Sequence, residues 1–332
     1  MQLTQIQHRR PAKRLISTKD MPLATWLEIR TQGIGASDAG AAIGINPYLS
    51  PLELWMLKTH RINPSAQVES SNGKAPTYWG HVLEPIVAQE YSKQTGNKVR
   101  RVNAILQHPD TDKHWMLANL DYAVCSNQDV QILECKTAGE YGAKCWRNGV
   151  PTYVRCQVLH QLAVTGKQAA DVCVLICGQE LQIHRIQRDD AEITDLIEKE
   201  RAFWRCVETN TPPQTDATDS CDRALKQLYP KDIHTSIDCS NNSDLNTTFD
   251  ELVAIGNQLK RLKTSEAKLK HELQAAMKDA QKARFSHGLA TWKASADKLQ
   301  LDTETLLNDQ PSLMKRYSLT KHGSRRFNIY PS

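Results

Sequence analysis

Two hydrophobic rhythms alternate along the first two-thirds of the chain. Between Gly80 and Tyr91, the apolar positions Leu83, Ile86, Val87 and Tyr91 recur at helical spacing and predict an amphipathic helix with Glu84 in its first turn. Shorter stretches near 97–107, 114–125 and 130–137 read as strands. Helical spacing returns after Pro151-Thr152, where Val154, Val158 and Leu162 follow one face and Tyr153, Gln157 and Gln161 another. The apolar run Val172 to Cys177 reads as a buried strand, with Cys173 and Cys177 inside it, and pairs with Leu181 to Gln187 as a hairpin, ahead of a helix at about 189–209. Residues 21–60 read as helical, and 61–76, with Asn63-Pro64-Ser65 and Ser70-Ser71-Asn72-Gly73, as a loop bordering the candidate site. Together these elements predict an α/β (α+β) domain: a mixed central sheet flanked by helices.

The pattern changes after Thr211-Pro212-Pro213. Residues 213–248 are rich in Asp, Ser, Asn and Thr, the composition of a linker or irregular segment, which places a boundary near 212. In the appendage 249–332, Leu252, Ile255, Leu259, Leu262, Glu266, Leu269 and Leu273 alternate spacings of three and four, a heptad seam on one long helix. That seam could meet a partner helix, the protein's own first domain or another copy. Trp292-Lys293 and Arg325 to Tyr330 read as short strands.

Charge adds direction. The net charge is +5, and the excess lies in 249–332, which holds 15 Lys/Arg against 9 Asp/Glu. Such a field favours a phosphate backbone, although a solvated helix face would have the same composition. Residues 1–20, with Arg9, Arg10, Lys13 and Arg14, read as a flexible basic arm, since no apolar segment follows as in a signal peptide. No apolar run of about eighteen residues predicts a membrane span. Nine cysteines without a Cys-x-x-Cys pair point to a reducing cytoplasm rather than to disulfides, zinc or an iron–sulfur cluster.

The candidate chemistry lies in Leu120-Asp121-Tyr122 and Ile132-Leu133-Glu134-Cys135-Lys136. On a strand, side chains two apart share a face, so Glu134 and Lys136 project together while Cys135 points into the core. Asp121 on a neighbouring strand would complete an oxygen-rich site for a hard cation such as Mg²⁺, and the Cys135 backbone carbonyl could face it as well. An isolated Glu-x-Lys is more often a solvated edge pair. Here the order of helix with Glu84, strand with Asp121, strand with Glu-x-Lys and helix with Gln157 lifts it above that reading.

That order is the pattern of the PD-(D/E)XK nuclease superfamily, and the chain resembles its YqaJ-type viral recombinase or lambda exonuclease branch. Trp26-Leu27-Glu28-Ile29-Arg30 and Gly33-Ile34-Gly35-Ala36-Ser37-Asp38-Ala39-Gly40 match the family's N-terminal motif, and the similarity covers about 21–212. The resemblance implies a restriction-endonuclease-like core in which Asp121, Glu134 and the Cys135 carbonyl hold metal. Lys136 would stabilise charge and orient water, and Glu84 would hold a second ion or its water. Gln157 and Tyr153 would stand beside the reacting centre, and Arg30 and Ser37 would hold the 5′-phosphate of a DNA end. It further implies an ATP-independent 5′→3′ exonuclease on double-stranded DNA ends, giving 5′-mononucleotides and 3′ single-stranded overhangs. Two Mg²⁺ ions, replaceable by Mn²⁺, a homotrimeric ring and a single-strand annealing partner belong to the same expectation. A structure-selective or nicking endonuclease on the same core, or a non-catalytic DNA-binding recombination adaptor, are the alternatives.

The glycine-rich stretch also admits a dinucleotide-binding or P-loop reading. Asp38 stands where G-x-G-x-x-G needs its third glycine, no Gly-Lys-Ser/Thr follows, and Trp26 to Arg30 reads as a helix rather than a strand. Core packing with Ser37 as a helix N-cap is the plainer alternative to phosphate binding. His81, His160 and His184 lack metal-binding spacing and read as packing or surface residues.

Overall fold

The structure, a computed structural model, describes residues 12–64, 76–320 and 323–331. The chain divides into two compact units, Met1–Tyr229 and Pro230–Ser332. In the first, strands β1 (Lys13–Ser17), β2 (Ile34–Gly35), β3 (Val99–Arg101), β4 (Ala104–Gln107), β5 (Met116–Asn119), β6 (Tyr122–Val124), β7 (Ile132–Ala138), β8 (Ala169–Ile176) and β9 (Glu180–Gln187) form two sheets. The longer helices are α1 (Leu23–Thr31), α2 (Ala39–Ala42), α3 (Pro51–Lys58), α4 (Pro76–Thr95), α5 (Glu140–Ala143), α6 (Thr152–Thr165), α7 (Asp190–Glu208) and α8 (Asp219–Leu228).

The larger sheet has the order β3-β6-β7-β8-β9. It is mixed as expected: β7 and β8 run parallel and every other neighbouring pair antiparallel. A parallel pair requires a crossover, which α6 supplies. Period-two alternation then builds a core on each face. Ile132, Val172 and Val174 pack with Val154, Val158 and Leu162 of α6, whereas Leu133 and Cys173 pack with Val87, Ala88 and Tyr91 of α4. Glu134 and Lys136 therefore share the α6 side of β7.

The stretches 97–107 and 114–125, expected as single strands, are each broken. β3 and β6 belong to the larger sheet, β4 and β5 to a second sheet of order β1-β4-β5-β2. The breaks are bonded to each other, since the Val102 N–H donates to the Asp121 carbonyl at 3.1 Å. Asp121 thus sits where the chain changes sheets rather than within a strand. Glu84 lies well inside α4, not in its first turn. Cys173 is buried, but Cys177 is exposed in the β8–β9 turn with φ +51°, outside the strand.

Other expectations also change. Within the arm, Lys13–Ser17 pairs antiparallel with β4, while residues 1–11 lie outside the described residues, as do 65–75 of the loop. The polar stretch 213–248 contains α8, which two apolar groups anchor: Cys221 and Ala224 join the core, and Thr218 Oγ1 caps the helix by accepting from the Cys221 N–H at 3.1 Å. Ser220 Oγ accepts the Ser50 N–H at 2.7 Å and donates to Glu53 Oε2 at 2.5 Å, tying α8 to α3.

The second unit is built on α9 (Ser243–Met277), followed by a hairpin of β10 (Lys282–Phe285) and β11 (Gly288–Thr291). Trp292 follows β11, and the stretch 325–330 is not a strand. Among the described residues, no helix is long and apolar enough to cross a membrane.

Candidate active site

Glu134 is the anchor of the site. Its side chain is 3 % exposed, and both oxygens are engaged: Oε1 meets Lys136 Nζ at 2.7 Å and accepts Gln157 Nε2 at 2.6 Å, while Oε2 accepts Gln161 Nε2 at 2.7 Å. Lys136 Nζ also donates to Gln157 Oε1 at 2.9 Å. One turn of α6 separates Gln157 from Gln161, which places both amides over β7. Burial alone would lower the Lys136 pKa, but Glu134 and Asp121 raise it, so the lysine is cationic at neutral pH.

Asp121 reaches β7 through backbone: its Oδ2 accepts the Cys135 N–H at 2.9 Å. The N–H and C=O of a strand residue point to the same edge, so the Cys135 carbonyl also faces the side where Asp121 leads into β6. Burial first, then the Glu134 charge, push the Asp121 carboxyl well above its ordinary range, with Glu84 adding to the push and Lys136 opposing it. Glu84 approaches from α4, its Oε1 accepting Arg101 Nη2 at 3.0 Å. Tyr153 stands edge-on to Tyr48 at 6.0 Å, and burial helps push its hydroxyl pKa up to about 12, so it keeps its proton at neutral pH.

Among the described residues, no three His, Cys, Asp or Glu side chains converge as a metal-binding group. The donor chemistry nevertheless fits a hard divalent cation. Asp121 and Glu134 bring two carboxylates to one site, where burial first and the Glu134 charge second raise the Asp121 pKa, a set of hard oxygens that a divalent cation would neutralise.

A second polar cluster forms around the glycine-rich turn. Arg30 Nη2 donates to Ser37 Oγ at 2.6 Å and pairs with Asp38 Oδ1 at 2.6 Å. Lys58 Nζ lies 2.7 Å from Asp38 Oδ2. Ser37 lies inside a single 3₁₀ turn, Ala36–Asp38, and makes no helix-capping bond. Gly40, two residues beyond Asp38, packs closely on α6, since a Cβ there would lie 3.2 Å from Tyr153 Cβ.

The model of the YqaJ-like viral recombinase domain matches residues 25–168, the span holding both clusters. The uncharacterized protein YqaJ of Bacillus subtilis strain 168 is 31 % identical over 328 residues, covering 96 % of this chain and 97 % of its own. The chain belongs to the YqaJ-like viral recombinase family. Solved structures that resemble it include an alkaline exonuclease from Laribacter hongkongensis, at 21 % identity and TM-score 0.44, covering 61 % of this chain and 98 % of that one. A phage-related exonuclease from Haemophilus somnus 129PT matches at 12 % identity and TM-score 0.33, covering 61 % and 99 %.

In this family member, sequence reasoning placed Asp121, Glu134, Lys136 and Gln157 at one centre, and the structure brings them together. Gln161 was visible only as a helical neighbour of Gln157, yet it binds Glu134 directly. Lys58 and Asp38 were not singled out as partners of Arg30. The signal for Lys58 was a charged residue in an otherwise buried helix, α3. Of the histidines, His160 is fully buried against Glu200, His184 packs against Trp146 and His81 is exposed.

Proposed function

We propose that the protein is a divalent-metal-dependent, ATP-independent deoxyribonuclease that digests one strand of double-stranded DNA from its 5′ end, in phage or prophage recombination by single-strand annealing. The convergence of Asp121, Glu134 and Lys136 on one side of β7 carries this reading, because two acids beside a lysine serve phosphodiester hydrolysis and have no use in a protein that only binds. Membership of a viral recombinase family supports the biological setting.

Asp121, Glu134 and the Cys135 carbonyl would hold Mg²⁺, or Mn²⁺ in its place, with Glu84 serving a second ion. When bound, such cations activate water and offset charge on the phosphate and the departing 3′-oxygen. Lys136 holds its positive charge toward the same phosphate, and Gln157 fixes the relative position of Lys136 and Glu134. Tyr153 stands beside this centre, its protonated hydroxyl available to the substrate strand. Arg30 and Ser37 take the 5′-phosphate of the DNA end. The products are 5′-mononucleotides and a 3′ overhang. A homotrimer working in the cytoplasm with a single-strand annealing protein completes the proposal.

The test is digestion of a linear duplex labelled separately at its 5′ and 3′ ends, with Mg²⁺ or EDTA, beside a covalently closed circle and a Glu134→Ala control. Early metal-dependent release of 5′-labelled mononucleotide, absent from the circle and the variant, is the expected result. Cleavage of the circle would make the protein an endonuclease, and no cleavage at all a DNA-binding adaptor.

A further inference from the structure

The cluster around Asp38 is electrically unbalanced. Arg30 of α1 and Lys58 of α3 share this one carboxylate, with side-chain exposures of 17 % for Arg30, 4 % for Lys58 and 12 % for Asp38. Two cations against one anion in a largely dry pocket are costly unless a further anion completes the set.

The two oxygens of the carboxylate take different partners. Oδ2 accepts from Lys58 Nζ at 2.7 Å and from the Gly35 N–H at 3.2 Å. Oδ1 accepts from Arg30 Nη2 at 2.6 Å and lies 3.5 Å from Ser37 Oγ. Lys58 Nζ also donates to the Arg30 backbone carbonyl at 2.7 Å, so it is both a counter-charge for Asp38 and a tether for α1. Burial alone would raise the Asp38 pKa, but Arg30 and Lys58 hold it well below the usual carboxylate range, so the acid is ionised and must be neutralised.

We propose that Lys58 is the positioning residue that gives the Arg30–Ser37 pocket its selectivity for a terminal phosphate monoester: by cancelling the charge of Asp38, it leaves the Arg30 guanidinium with positive charge to offer the phosphate. The inference rests on the reading of Arg30 and Ser37 as the phosphate site. Without Lys58, Asp38 would neutralise Arg30 and repel an incoming phosphate at the same place. A lysine serving only to hold α3 against α1 would leave end selectivity untouched.

The test is fluorescence anisotropy with the full-length protein in EDTA, which suppresses cleavage, using duplexes of one sequence that carry either a 5′-phosphate or a 5′-hydroxyl. The quantity read is the ratio of the two affinities. Wild type favours the phosphorylated end, Lys58→Met brings the ratio close to unity, and Lys58→Met/Asp38→Asn restores it because Arg30 no longer has a competing carboxylate. Asp38→Asn alone raises the ratio above wild type, and it carries the test if Lys58→Met does not fold. An unchanged ratio in Lys58→Met, a double variant no better than the single one, or an Asp38→Asn ratio at or below wild type overturns the role of Lys58. An Arg30→Ala ratio equal to wild type would instead remove the phosphate site, and the inference with it.

Discussion

Gln161 Nε2 donates to Glu134 Oε2 at 2.7 Å, while Gln161 Oε1 is buried with no hydrogen-bond partner among the described residues. A buried amide with one end idle costs free energy, so its retention at 0 % exposure points to the other end: the amide fixes Glu134 in one rotamer. Gln157 does the same from the preceding turn and adds Lys136, so that α6 clamps both members of the Glu-x-Lys pair.

Gln161→Leu separates clamp from packing. Leucine fills similar volume and removes the idle carbonyl, but leaves Glu134 Oε2 without its donor, a loss of about 1–3 kcal/mol. The expected outcome is a folded protein with lower Mg²⁺ affinity, read by titration calorimetry, and a lower cleavage rate at saturating Mg²⁺. Wild-type values of both would remove Gln161 from the site.

Asp121 is predicted to be a stability liability in EDTA. Its carboxyl is desolvated and faces the charges of Glu134 and Glu84, with Lys136 and the Cys135 N–H acting in its favour. Asp121→Asn keeps an acceptor for that N–H and removes the buried charge. It should raise the melting temperature in EDTA, by a few degrees if about 1 kcal/mol is recovered. The same variant should lose both cleavage and the stabilisation that Mg²⁺ gives the wild type. A lower melting temperature in EDTA would contradict this account of the site.

The parts of this arrangement legible in the sequence are those with a period. Alternation along β7 put Glu134 and Lys136 on one face, and helical spacing put Gln157 on a face separate from that of the buried Val154, Val158 and Leu162. Asp121 was found by residue type, but its position between two sheets was not, because a chain that changes sheets keeps a strand-like composition on both sides of the break. α8 was hidden for the opposite reason: two buried apolar side chains, Cys221 and Ala224, are too few to mark a polar stretch as helical. Lys58 has no periodic signature, and its meaning lies in a carboxylate 20 residues away.

The glycine-rich turn is tested at Gly33. A Cβ there would lie 2.5 Å from the Trp115 carbonyl oxygen and 2.8 Å from Leu117 Cγ. That carbonyl already accepts the Ile34 N–H at 2.7 Å, so neither strand can retreat without breaking the β2–β5 pairing that positions Ser37 and Asp38. Gly33→Ala should cost roughly 1–3 kcal/mol or more in urea unfolding. Gly139→Ala is the control, with φ −79° and open space around its Cβ, and should be nearly neutral. Equal effects would mean that close approach is not what Gly33 provides.

The last prediction concerns a second buried contact of α6. His160 Nδ1 lies 2.7 Å from Glu200 Oε1, His160 Nε2 lies 3.0 Å from the Leu117 carbonyl, and both side chains are fully buried. Burial alone would lower the imidazole pKa, but the charge and hydrogen bond of Glu200, helped by the Leu117 carbonyl, raise it above 6.5. The folded protein therefore keeps a proton that the unfolded chain releases. The stabilisation is complete below about 6.5 and is lost as pH rises through the folded-state value. Glu200→Gln removes the charge that holds the proton, and should cost about 3–5 kcal/mol near pH 6, since it breaks a buried pair. The penalty should shrink by pH 9, where His160 is closer to neutral in both proteins. Urea unfolding at the two pH values measures this directly, and a pH-independent penalty would mean that the pair is held by geometry and not by charge. Because His160 adjoins Gln161 on α6, loss of the pair should also loosen the clamp on Glu134, so the cleavage rate of Glu200→Gln is expected to fall with its stability.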